Sequence, residues 1–220
     1  MKKVFIVGGN NTIAEMFIKA GYAITKRADE CDLAVFTGGE DVTPALYGQE
    51  CHKATHFSIQ RDLNERSVFT YLFDKDVPMI GICRGGQFLN VMSGGQMYQD
   101  VENHTRTHEM LILDQDKVIT VTSTHHQMMM PGPEAFILAT AVEGGKREYY
   151  DKRNLITELS KEDYEVLYYA STGCICFQPH PEYAGNSPAL QPMVEYFFEL
   201  VEELFEAKAT ARSAKRELAA

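Results

Sequence analysis

Residues 3–8 (KVFIVG), 33–37 (LAVFT) and 79–82 (MIGI) are short runs that are apolar almost throughout, with no alternation of polar and apolar positions. A strand without alternation is buried on both faces, which is the pattern of a parallel sheet covered by helices on either side. The segments between the runs fit. Residues 12–20 (TIAEMFIKA) carry apolar side chains at helical spacing before Gly21, and 57–75 read as a helix with Leu63, Val68, Phe69 and Leu72 before Pro78. Strand and helix in alternation predict an α/β fold with a mostly parallel central sheet and helices on both faces.

From Tyr98 onward the texture changes. Residues 110–113, 117–122, 136–141, 165–170 and 174–178 read as strands with few helices between them, which predicts some antiparallel pairing at one side of the sheet. The last predicted element spans 190–206, where Met193, Val194, Phe197, Leu200, Val201 and Leu204 form one stripe at helical spacing. One domain over 1–206 is expected, followed by a polar, Ala-rich tail over 207–220. The pair Gly8-Gly9 lacks the full spacing of a dinucleotide fingerprint and reads as a strand-to-helix turn.

Charge and composition exclude several classes. A net charge of −10 with no cluster of Lys and Arg before the C-terminus leaves no electrostatic footprint for nucleic acid. The N-terminal apolar stretch ends at two glycines after a few residues, which marks a first strand and not a signal peptide. No apolar run approaches the roughly 18 residues that cross a bilayer, so a cytoplasmic protein is expected. Five cysteines without paired CxxC knuckles predict free thiols and no structural zinc. Cys174 and Cys176 fall on one face of a strand as small buried hydrophobes.

Three separate segments carry chemistry. In Met79-Ile-Gly-Ile-Cys-Arg-Gly-Gly-Gln-Phe-Leu-Asn90 an apolar strand delivers Cys83 into a glycine-rich turn, and Phe88, Leu89 and Met92 follow at helical spacing. Such a strand-to-helix turn exposes its central side chain at the carboxyl edge of the sheet in a strained conformation. It is a nucleophile elbow with sulfur in place of oxygen, and the positive end of the next helix favours the reactive thiolate. In Phe177-Gln-Pro-His-Pro-Glu-Tyr183, residues two apart in an extended segment point the same way. His180 then faces the thiol and Glu182 accepts the other imidazole proton. In Phe36-Thr-Gly-Gly-Glu-Asp-Val-Thr-Pro44 two glycines end a buried strand, and the backbone N–H groups of Gly39 and Arg84 form a candidate oxyanion hole. All three segments end strands where open α/β sheets place their sites.

With these residues in view, the segment GICRGGQFLNVMSGGQMYQDV (81–101) resembles the nucleophile segment of the class I glutamine amidotransferase superfamily, in particular its γ-glutamyl-γ-aminobutyrate hydrolase-like (peptidase C26) branch. TGGEDVTPALYG (37–48), Arg61-Asp62 with Glu65, and Ser123-Thr-His-His-Gln127 support the likeness, which covers roughly residues 33–185. The chain departs from the branch at Glu40, Pro179 and Thr122. The resemblance implies a flavodoxin-like sheet and a catalytic triad of Cys83, His180 and Glu182. It implies hydrolysis of a γ-glutamyl amide through a thioester on Cys83, without metal or organic cofactor. Gln87, Ser123, His125 and His126 are then expected to contact the glutamate moiety. Two enzyme readings share this machinery: a stand-alone hydrolase of γ-glutamyl amines, or a glutaminase passing ammonia to a synthetase or ATP-dependent ligase. A binding module without activity is the third reading, and homo-oligomer formation stays open.

Overall fold

A computed structural model describes the backbone of residues 1–217 and the side chains of residues 1–210. The apolar runs become strands β1 (Lys3–Val7), β3 (Leu33–Phe36) and β4 (Met79–Ile82), with the short β2 (Ala23–Thr25) in between. Helices α1 (Asn11–Lys19), α2 (Ile59–Asp74) and α3 (Arg84–Met92) connect them. Gly8 and Gly9 turn with φ of 82° and 70°, and the Asn10 side chain accepts the Ile13 N–H to start α1. The second half supplies β5 (Gln96–Tyr98), β6 (Asp100–Val101), β7 (His108–Ile112), β8 (Lys117–Val121), β9 (Met128–Met130) and β10 (Phe136–Ala141). The hairpin β11 (Lys146–Asp151) and β12 (Asn154–Leu159) follows, then β13 (Asp163–Tyr169), β14 (Cys174–Phe177) and α4 (Gln191–Glu217).

Nine strands form one sheet in the order β2-β1-β3-β4-β14-β13-β10-β7-β8. Its first five strands pair in parallel and the rest antiparallel. The parallel part has the doubly wound, flavodoxin-like order, in which the chain reverses direction of winding between β1 and β3. The expected α/β architecture and the antiparallel flank are both present. Side chains alternate between two cores. Ile175 and Phe177 join α1 and α4 on one face through Phe17, Phe197 and Leu200, and Cys174 and Cys176 join α2 and α3 on the other. Each fully buried Leu or Phe stabilises by roughly 1.5–3 kcal/mol relative to exposure, so helices on both faces are what makes the four apolar strands β1, β3, β4 and β14 tenable.

Several expectations shift. Helix α4 continues past residue 206 to Glu217, through most of the expected tail; residues 218–220 of that tail lie outside the described residues. Leu63, expected on the buried face of α2, is 49% exposed, and the face turned inward is Asp62, Glu65, Phe69 and Leu72. Two carboxylates at the start of the inward face break the apolar stripe that periodicity relies on. No helix among the described residues is long and apolar enough to cross a membrane.

Candidate active site

Cys83 stands between β4 and α3 with φ 52° and ψ −117°, a left-handed backbone conformation costly for a residue with a Cβ. Its N–H is held by the Phe177 carbonyl at 2.7 Å, and its own carbonyl accepts the Gln87 N–H at 3.0 Å as the first bond of α3. The small neighbours are required by contact. A Cβ on Gly81 would stand 2.3 Å from the Gly85 backbone, and one on Gly85 would stand 2.1 Å from the Phe36 carbonyl oxygen. The turn thus packs backbone on backbone, which leaves Cys83 as the side chain that emerges at the edge.

His180 lies at the end of the adjacent β14 segment. Its Nδ1 is 2.8 Å from Glu182 Oε1, and the Cys83 side chain lies beside the ring across Gly38 and acts on its protonation. Burial alone would lower the imidazole pKa, but the hydrogen bonding of the charged ring to Cys83 and Glu182 and the attraction of both groups outweigh it and raise it to about 10. The carboxylate contact places the proton on Nδ1 and leaves Nε2 for sulfur. One detail of the sequence reading is corrected. The segment is not extended after His180: Pro181–Tyr183 form a 3-10 turn, with the Tyr183 N–H on the His180 carbonyl at 3.1 Å. Pro181 starts that turn at little cost, because its fixed φ suits a helical first position, and Glu182 folds back to the imidazole.

Two residues not singled out for this purpose hold His180 in place. Thr122 Oγ1 accepts the His180 N–H and donates to the His180 carbonyl, both at 2.9 Å. Tyr183 stacks on the imidazole at 4.5 Å between centroids with a 10° tilt. Tyr183 lies three residues on in the same segment, whereas Thr122, 58 residues from its partner, has no sequence signal at short range.

The start of α2 organises the opposite wall. Arg84 is buried and its guanidinium bridges Asp62 and Glu65, while Arg61 Nε binds Glu65 Oε1 at 2.8 Å. Arg61 Nη2 then donates to the carbonyls of Thr37 and Gly38 at 3.0 Å each. Asp62 also accepts the Thr43 N–H at 2.9 Å. One helical turn therefore clamps both the elbow and the Gly38-Gly39 loop. The fit is close: a Cβ on Gly38 would lie 3.0 Å from His180 Cε1 and 3.7 Å from the Cys83 Cβ, and one on Gly39 would meet Arg61 Nη1 at 2.2 Å.

A cavity of about 170 Å³ opens beside Cys83, lined by Gly39, Asp41, Gln87, His125 and His126 among others. Larger clefts of about 550 and 560 Å³ exist along α1 and α4 and beside Gly8-Gly9. Cys83 lines neither of them, although Glu182 borders the first and Gly38 the second, so the smaller cavity is the candidate site. Of the expected contact residues, Gln87 reaches the wall with its Nε2 committed to the Gln127 carbonyl at 3.1 Å and Gln178 Oε1 at 3.3 Å. His126 is half-buried with Nε2 3.3 Å from Asp41 Oδ1, and that contact raises its pKa. His125 gives its Nδ1 to the Gln127 carbonyl at 2.8 Å. Ser123 is turned away: its hydroxyl donates to the His104 carbonyl and it does not line the cavity. Glu40, Asp41 and His56 line the cavity without having been singled out as contacts; they come from loops whose approach only the folded chain sets.

Residues 12–141, more than half of the chain, match the peptidase C26 family. The chain belongs to the peptidase C26 family. As a C26 member it falls within the class I glutamine amidotransferase superfamily. An Enterococcus hirae protein, NtpR, is 31% identical over 124 residues, 46% of this chain and 52% of that one. A Mycobacterium tuberculosis protein provisionally named a glutamine amidotransferase is 42% identical over 81 residues, 35% of this chain and 26% of that one. This C26 chain therefore spans about half or less of the length of the curated relatives it matches. Among solved structures, a Thermoplasma acidophilum protein provisionally described as a GMP synthase subunit superposes with a TM-score of 0.62 at 17% identity, over 98% of both chains. At that identity the likeness establishes the fold.

Proposed function

We propose that this C26 enzyme hydrolyses γ-glutamyl amide bonds through a thioester on Cys83. The observation that supports the reading most is the line of Glu182, His180 and Cys83 at the carboxyl edge of the sheet. The Cys83 sulfur, having passed its proton to His180, attacks the side-chain carbonyl carbon of the substrate. The oxyanion that forms is held by the N–H groups of Gly39 and Arg84, the second at the unpaired first turn of α3. His180 then gives the proton to the amine nitrogen, the C–N bond breaks and the amine leaves. Water attacks the thioester with His180 as base, the C–S bond breaks, and glutamate is released with the thiol restored. Glu182 keeps the imidazole in the tautomer both steps need.

For the glutamate moiety, Asp41 and Glu40 offer carboxylates to the α-ammonium group and His126 offers a cation to the α-carboxylate. The test is a substrate panel. Purified protein is given glutamine and several γ-glutamyl amines, and glutamate release is followed alongside intact-mass detection of a γ-glutamyl adduct on Cys83. Turnover of the amines with an adduct that disappears in Cys83→Ala is expected; turnover without dependence on Cys83 overturns the mechanism.

A second reading has its own support. The fold likeness to the protein described as a GMP synthase subunit extends over the whole of both chains, which fits a glutaminase delivering ammonia to a synthetase. Glutamine turnover that stays negligible until a synthetase is added would favour it over the stand-alone hydrolase.

A further inference from the structure

Beside the cavity wall formed by His125 lies a second cluster that the proposed chemistry does not use. His104 comes from the loop between β6 and β7, His125 from the loop between β8 and β9, and Glu165 from the middle of β13. All three are buried, at 0%, 4% and 0% exposure. One donor atom from each lies within 4.8 Å of the other two. The two loops are tied together by the His125 N–H on the His104 carbonyl at 3.1 Å.

The hydrogen bonds of this cluster orient each imidazole for a ligand. His125 Nδ1 is 2.8 Å from the Gln127 carbonyl; a carbonyl only accepts, so Nδ1 carries the proton and Nε2 presents a lone pair. His104 Nε2 is 2.9 Å from Asp163 Oδ2, which in the neutral ring keeps the proton on Nε2 and turns Nδ1 toward Glu165, 3.3 Å from its Oε1; a cation at Nδ1 would take the place of the second proton that the two carboxylates otherwise favour. Asp163 is in turn near Arg147 Nη1 at 3.4 Å. Glu165 Oε1 meets His108 Nε2 at 3.0 Å. What remains is one buried polar atom on each residue without a well-formed hydrogen bond: His104 Nδ1, which has only its ion-pair contact with Glu165, His125 Nε2 and Glu165 Oε2. A buried unpaired group costs about 1–3 kcal/mol, more for a charged one, and three on adjacent side chains are rarely left empty.

We propose that His104, His125 and Glu165 form a binding site for a divalent cation of the zinc type. Two imidazole nitrogens and one carboxylate oxygen are the donor set of borderline metals, and zinc takes three such protein ligands with water in the remaining position. An imidazole ligand ordinarily donates its second N–H to a carboxylate or a backbone carbonyl, and here Asp163 and the Gln127 carbonyl fill those two roles. The sequence reading expected no metal, from the missing CxxC knuckles and the family resemblance; the three donors come from segments far apart in the chain and meet only through the antiparallel half of the sheet. A second group, His52, Asp100 and Glu148, is a weaker match, since Glu148 is already taken by Lys146 and Thr157. A bound cation would pin the loop that carries His125, His126 and Gln127 to β13, and so fix one wall of the cavity beside Cys83.

The test uses the full chain, purified without a polyhistidine tag, stripped with chelator, incubated with zinc and passed through gel filtration before elemental analysis. About one zinc per chain is expected in the wild type and in Cys83→Ala, which removes the thiol beside His180. Loss of zinc is expected in His125→Ala and in Glu165→Gln, the second being close to isosteric so that folding is preserved. Cobalt substitution should give the visible absorption of a four-coordinate nitrogen and oxygen site in wild type and not in Glu165→Gln. Retention of zinc by both cluster variants, or its loss in Cys83→Ala alone, would place the metal elsewhere and overturn the proposal. So would a wild type that retains no zinc, which would leave the cluster to an ordered water.

Discussion

At the scale of single residues, the candidate triad makes sharp demands. Cys83→Ala should abolish glutamate release while thermal unfolding stays within a few degrees of wild type, because the substitution removes only sulfur from a position whose backbone is held by Phe177. Glu182→Gln should lower kcat/KM by on the order of 10³- to 10⁴-fold with KM little changed, since the imidazole loses the carboxylate that fixes its tautomer. The titration of His180 has a definite sign. Its pKa is raised to about 10, above the roughly 6.5 of an unfolded chain, so the folded state holds an extra proton between those limits. That contribution is complete below about pH 6.5 and is lost as pH rises through about 10. Melting temperatures of wild type and His180→Gln, measured across this window, should converge at the alkaline end. Cys83 was legible from its neighbours alone, because a cysteine between an apolar strand and a pair of glycines specifies its own turn. Thr122 was not, because its two bonds to the His180 backbone depend on a strand pairing that no local pattern encodes.

At the scale of elements, α2 and the loop it clamps are the informative pair. The expected stripe of Leu63, Val68, Phe69 and Leu72 was partly misleading, since the inward face of the helix opens with Asp62 and Glu65. Their burial is tenable only with Arg84 between them. Arg84→Ala should therefore destabilise the protein by about 3–5 kcal/mol, the cost of leaving buried carboxylates uncompensated, as read by urea denaturation. Gly38→Ala should act differently: its Cβ would press on His180 Cε1 at 3.0 Å, so activity should fall far more than stability. The hairpin of β11 and β12 was missed altogether. Lys146-Arg-Glu-Tyr-Tyr-Asp151 is too charged to signal a strand, and it forms one because β12 and the edge of β6 satisfy its backbone.

At the scale of the whole molecule, the two cores report on themselves through the cysteines. Cys174 and Cys176 are fully buried, and burial raises the Cys174 thiol to about 12 and pushes Cys176 well above its ordinary value. Alkylation of the native protein near neutral pH should spare both, and peptide mass mapping should find them modified only after denaturation. The sequence by itself determined the parallel half of the sheet, because strands without alternation can be buried only between two layers of helices. It also determined the elbow, whose Gly81 is demanded by the backbone of Gly85 four residues on. The tertiary structure alone decided what surrounds that elbow: the carboxylates of α2 beneath Arg84, Thr122 behind His180, Ser123 turned away from the cavity, and the buried cluster of His104, His125 and Glu165. The physical reason is range. Backbone conformation and amphipathic pattern are local properties, whereas side chains from distant segments meet only when strand order and register bring them together.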